Sequence, residues 1–174
     1  MKQSVFRYGI FAAILIVVLT AFNLFVLAKN ADYSIQEAAG YLAILISMIF
    51  IFMGIRHYRD KINGGSLSFG EGFKIGLLIT LVPAICFSLF DLLYTEVLNP
   101  SWKDDYYNHY IQDLRTSLSG NVLDAEIKKL EEQREMYDKP LVLFLIMFST
   151  VFVMGMIVSI ISALSLRRKN NAMA

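Results

Sequence analysis

Charge is what this sequence has least of. Of its 174 residues only 18% are Asp, Glu, Lys or Arg, against roughly 25% in a soluble globular domain. The shortage is concentrated in four long stretches that carry one charge between them. A soluble chain of this size has too little interior to hide such stretches. A water-soluble enzyme domain, a disordered tail and a nucleic-acid binder are excluded on that ground. Cys86 is the single cysteine, which leaves no intramolecular disulfide scaffold and no cysteine-based zinc site.

What is present instead is apolar: 56% of residues are hydrophobic and the mean hydropathy is +0.54. The first run, Gly9–Ala28, has 20 residues without a charge. As a helix it covers about 30 Å, the thickness of a bilayer's hydrocarbon core. The others are Ala38–Ile55, Ile75–Thr95 with the single charge Asp91, and Pro140–Leu166. These runs lack the alternation of lipid-facing barrel strands, so helices must satisfy the backbone. The expected fold is all-α, a polytopic membrane protein with four transmembrane helices. Val26-Leu27-Ala28 has the look of a signal-peptide cleavage site. The preceding run exceeds the h-region length of about 7–15 residues, so the first span is read as retained.

With four spans, both termini and residues 56–74 share one side. That side holds nine bases and two acids, while residues 29–37 and 96–139 together hold seven bases and twelve acids. The positive-inside rule puts both termini in the cytoplasm, with Arg167-Arg168-Lys169 as the strongest element. Within 56–74, Asn63-Gly64-Gly65 is turn chemistry, and Ser68 with Glu71 predicts a capping box at the start of the third helix. The glycines do not make a phosphate loop, since no Gly-Lys-Ser/Thr follows. Arg56, Arg59 and Lys61 read as headgroup anchors and His57 as a solvated interfacial residue.

Small residues recur every fourth position in the third span: Ser68, Gly72, Gly76, Thr80, Ala84 and Ser88. In lipid, helix association depends on close backbone approach, which small residues permit. A step of four drifts about 40° on an ideal helix, so any one neighbour meets three or four members. Shorter stripes occur at Ala39, Ala43 and Ser47, and at Gly155, Ser159 and Ala163. They serve packing within the bundle or the seam of a homodimer. Pro83 predicts a kink over residues 79–83. Asp91 has a structural reading, with Lys103 or Asn23 as partner, and a functional one as an intramembrane carboxylate.

Residues 96–139 are far longer than a turn between spans requires. Asn99-Pro100 predicts a helix start, and Tyr107, Tyr110, Ile111, Leu114 and Leu118 give it one apolar face. Gly120 is read as a stop and Asn121 as the next cap, with Leu123, Ile127, Leu130 and Tyr137 forming a second stripe. The expectation is an external helical hairpin, 96–139, between spans three and four. Trp102, Tyr106 and Tyr107 suit an aromatic belt. Asp105, His109 and Asp113 stand four apart and are weak metal-ligand candidates; a solvated face is the better reading. No catalytic or cofactor-binding constellation is legible.

Phe-Arg-Tyr-Gly before span one, Gly-Gly-Ser-Leu-Ser-Phe-Gly-Glu-Gly-Phe-Lys-Ile-Gly entering span three, Asn-Pro after it and the charged insertion form a pattern over about residues 3–168. In these features the chain resembles the bacterial four-helix membrane proteins of domain of unknown function 4199. The resemblance implies this topology and a bacterial inner-membrane setting; it implies no activity and carries no functional residues. Two function classes follow. One is a non-catalytic membrane module, embedded in the lipid bilayer, that engages itself as a homo-oligomer or an unknown membrane or periplasmic partner. The other is a small oligomeric transporter or channel built on the third span and Asp91.

The base count makes the topology testable. A cysteine introduced at Asn121 is expected to react with a membrane-impermeant thiol reagent in intact spheroplasts, and one at Asn170 is not. The reverse labelling pattern overturns the orientation.

Overall fold

The computed structural model describes residues 1–29 and 32–168. Seven α-helices are formed among them: α1 Lys2–Phe25, α2 Tyr33–Ser47, α3 Ile49–His57, α4 Phe69–Leu93, α5 Trp102–Ser117, α6 Gly120–Tyr137 and α7 Pro140–Leu166. Four helical stretches among the described residues are long and apolar enough to cross a membrane: Lys2–Phe25, Tyr33–Ile62, Phe69–Leu98 and Pro140–Leu166. The protein is therefore an all-helical, multi-pass membrane protein. Lys169, last of the predicted basic cluster, lies outside the described residues.

The chain divides into two units, Met1–Phe87 with Phe148 onward, and Ser88–Met147. In the first, α1 packs on α2 and α3, and α4 meets α1, α3 and α7. The contact of α4 with α7 pairs stripe with stripe in antiparallel register. A Cβ added at Gly72 would stand 3.1 Å from Ala163 Cβ, and one at Gly76 2.6 Å from Ser159 Cβ. A Cβ at Gly155 would overlap the side chain of Thr80. Three positions spaced by four along α4 thus meet three spaced by four back along α7. Ala84 and Ser88, the next two members of the stripe, are fully buried as well. Thr80 and Ser159 donate their hydroxyls to the carbonyls of Gly76 and Gly155, at 2.9 and 2.6 Å, so neither leaves an unmet donor in the seam.

Glycine also seats α4 on its other side. A Cβ at Gly54 of α3 would overlap Ile79, and one at Gly9 of α1 would lie 2.9 Å from Val82 Cγ2. Pro83 sits inside a continuous α4 and deprives the Ile79 carbonyl of its usual donor. That carbonyl faces Gly9, 3.5 Å from where a Cβ would be.

The second span is not one helix. It breaks at Met48, where Ser47 Oγ donates to the Ile44 carbonyl at 2.6 Å. The hydroxyl competes there with the Met48 N–H, which also reaches Ile44 O, at 3.2 Å. Spans two and three end alike, in π turns over Tyr58–Ile62 and Tyr94–Leu98. In each, the N–H of an asparagine five residues on bonds the tyrosine carbonyl, Asn63 to Tyr58 at 2.9 Å and Asn99 to Tyr94 at 2.8 Å. The side chains pair as well: Tyr58 Oη donates to Asn63 Oδ1 at 3.4 Å, and Asn99 Nδ2 to Tyr94 Oη at 3.1 Å. Sequence reading misses this Tyr-x-x-x-x-Asn device, because the π turn has no propensity signature.

The capping box forms: the Ser68 N–H donates to Glu71 Oε2 at 2.9 Å, and the Glu71 N–H to Ser68 Oγ at 3.3 Å. Ahead of it, Gly64 and Gly65 adopt positive φ, 60° and 83°, as the predicted turn needs. Leu67 and Arg168 exchange two backbone hydrogen bonds at 2.9 Å, tying this loop to the end of α7. Two predicted boundaries shift. The helix after Asn99-Pro100 begins at Trp102 with Ser101 as N-cap, because Asn99 closes the π turn instead. Gly120, at φ 62°, opens α6 rather than stopping α5, which ends at Ser117.

Because Gly76 has no room for a side chain, Gly76→Leu is expected to lower the thermal stability of the detergent-solubilised protein by roughly 5 °C or more. Leu77→Ile, half-buried beside it, should change Tm far less. Equal values for the two variants contradict the packing argument.

Candidate functional site

Polar groups enclosed in an apolar chain are where chemistry can reside, since each costs free energy unless it is paired or used. In the unit Ser88–Met147 the foremost is Asp91 on α4. Its Oδ2 is buried and has no hydrogen-bond partner among the described residues. Lys103, the base expected to pair with it, turns elsewhere. Its Nζ lies 2.6 Å from Glu96 Oε1 and 3.9 Å from Asp138 Oδ1, and donates to the Tyr137 carbonyl at 3.5 Å. Glu96 lies about 7 Å nearer the end of the span than Asp91 by helical rise, and its side chain is 36% exposed.

Around Lys103 the chain is aromatic. Trp102 stacks on Tyr106 with ring centroids 5.1 Å apart, and Tyr94 meets Trp102 edge-on at 6.5 Å. In the same unit α5 and α6 pack against each other, with Arg134 of α6 paired to Asp104 of α5. Asp105, His109 and Asp113 share one face of α5. His109 Nε2 lies 3.4 Å from Asp113 Oδ2, while Asp105 is exposed. Among the described residues no group of three or more His, Cys, Asp or Glu side chains is arranged to hold a metal ion.

The other candidate partner of Asp91, Asn23, is committed within its own unit. Its Nδ2 donates to the Gln36 carbonyl at 2.8 Å, joining α1 to α2. Asn23 Oδ1 and Thr20 Oγ1, one turn apart on α1, are buried without a hydrogen-bond partner among the described residues. At the far end of α1, Ser4 Oγ and His57 Nδ1 are 3.0 Å apart, with the Tyr8 ring 5.5 Å from the imidazole. His57 is thus half-buried and bonded, not solvated. The two residues are 53 apart in sequence, and only the packing of α1 on α3 brings them together. A hydroxyl beside an imidazole is the beginning of a nucleophile–base pair. Ser4 is fully buried, however, and the contact acts as a tie between helix ends.

The expected headgroup anchors are likewise partly engaged. Arg59 lies 2.6 Å from Asp60 and donates from Nη1 to the Leu166 carbonyl at 3.3 Å, capping the end of α7. Arg56 lies 3.6 Å from the same carboxylate, and Lys61 is exposed.

Tyr107 of α5 is buried, and burial first, then the charges of Tyr137 and Asp138, pushes its phenol up to about 12. The ordinary value is about 10, so packing favours the neutral phenol. That stabilisation is complete below the unfolded value and is lost as pH rises from about 10 to about 12. Thermal stability measured across this window is expected to fall, and less steeply in Tyr107→Phe. An unchanged slope in that variant contradicts the assignment.

No curated protein and no solved structure matches the chain. The model of one family, described as Protein of unknown function (DUF4199), matches residues 7–168, which takes in the first span from Arg7 onward, the other three spans and the segment between the third and fourth. The chain belongs to that family.

Proposed function

We propose that this protein is a non-catalytic module of a bacterial inner membrane, with both termini in the cytoplasm, that engages a partner or a second copy through an external hairpin built from α5 and α6. The observation that carries this reading is the exposure of the hairpin. No residue of the 18-residue α6 is buried, and Val122 is 59% exposed. A helix with no buried residue leaves its surface free for a contact outside the chain. Its surface is acidic, with ten acids and six bases over residues 96–139, which favours a cationic contact surface on the partner. A photocrosslinker at Val122 in native membranes is expected to give a discrete adduct, whereas one at Leu141, in the apolar span, gives lipid adducts only. The absence of any protein adduct at Val122 overturns the reading.

A second reading, a small oligomeric transporter or channel subunit, is favoured by one observation, the buried and unpartnered Oδ2 of Asp91. On the module reading Asp91→Asn leaves expression and crosslinking unchanged. Loss of ion or solute flux in reconstituted Asp91→Asn vesicles, with thermal stability retained, makes the transporter reading the better one.

A further inference from the structure

One surface of α1 carries a pattern that the packing of the bundle does not use. Arg7, Phe11, Ile14, Leu15 and Val18 stand at successive intervals of four, three, one and three, a single stripe on one helix face. The last four of these, with Phe50 of α3, line an open groove of about 500 Å³ whose walls are hydrocarbon side chains throughout. The rings of Phe11 and Phe50 lie 5.8 Å apart. At the end of the groove marked by Phe11, the Arg7 guanidinium is held 5.8 Å from the Phe11 ring centroid and 5.9 Å from that of Tyr8. Arg7 is exposed and makes no ion pair among the described residues.

We propose that this groove binds one anionic phospholipid, its phosphate on Arg7 and one acyl chain along Phe11, Ile14, Leu15, Val18 and Phe50. The dimensions agree. From Phe11 to Val18 the helix rises about 10 Å, most of the roughly 15 Å that one leaflet contributes to the hydrocarbon core. Arg7 lies about 6 Å further on, at headgroup level. Its planar fork matches phosphate oxygens, and ring contact on two sides restricts its rotamers before any ligand arrives. A zwitterionic headgroup presents the same phosphate but sets its own cation beside the guanidinium, so the charge complementarity selects an anionic lipid. Free phosphate meets Arg7 alone and gains nothing from the groove.

The test is native mass spectrometry of the full chain in detergent, after equilibration with equal amounts of phosphatidylglycerol and phosphatidylcholine. One retained lipid per chain is expected, with phosphatidylglycerol favoured by about fivefold, the worth of one basic side chain at a membrane surface. Arg7→Gln should abolish the preference while lipid is still retained, and Arg7→Lys should keep part of it. Leu15→Trp, which fills the groove, should abolish retention of either lipid. Because Arg7 is exposed, its variants should match the wild type in thermal stability without lipid, and added phosphatidylglycerol should raise Tm only where Arg7 or Lys is present. Equal retention of the two lipids by wild type, an unchanged preference in Arg7→Gln, or competition by inorganic phosphate overturns the proposal. So does a dimer that carries no lipid, because the groove then belongs to a second copy of the chain.

Discussion

Close backbone approach between α4 and α7 is the constraint on which the rest of the bundle depends. In lipid, an apolar side chain gains little by leaving its surroundings for another helix, so association must come from dispersion at short range and from hydrogen bonds met on site. The register Gly72 with Ala163, Gly76 with Ser159 and Thr80 with Gly155 supplies both. Glycine removes the side chain where the helices touch. The facing hydroxyls return to their own helix carbonyls, so a polar atom sits in the seam at no cost of an unmet donor. A bulky residue at any of these positions separates two 25-residue-scale helices along their length.

Between Gly64 and Gly76, seven of the thirteen residues have a folding role. Gly64 and Gly65 make the left-handed turn, Leu67 binds the end of α7, Ser68 and Glu71 cap α4, and Gly72 and Gly76 form the seam. Residues with such roles mark an architecture, and function has to be sought in residues that folding leaves over. Those residues are few: Asp91, the α5–α6 surface and the groove on α1.

Two kinds of polar residue therefore divide the molecule. Arg59, Ser4, His57 and Asn23 are joined to partners and hold helix ends or neighbouring helices together. Asp91 carries a buried oxygen with no such partner, and Arg7 an exposed charge with none. The first group contributes to stability, and the second is where a ligand, an ion or a lipid gains by arriving.

The all-helical class, the four spans and the capping box were legible in the sequence because each rests on local chemistry. Runs of about 20 apolar residues, turn glycines and a Ser-x-x-Glu spacing act within a few residues of themselves. The boundaries were less legible at Met48, Asn99 and Gly120, where a side chain or a π turn redirects the backbone against the simpler pattern. Partner choice was not legible at all. Lys103 was a candidate partner for Asp91, and the fold sets it instead between Glu96 and Asp138. Ser4 and His57, or Gly155 and Thr80, are separated by most of a helix or more along the chain. Only the tertiary structure joins them, because in a bundle the contacts that matter lie across helices, and a stripe of small residues names a face without naming the helix that will cover it.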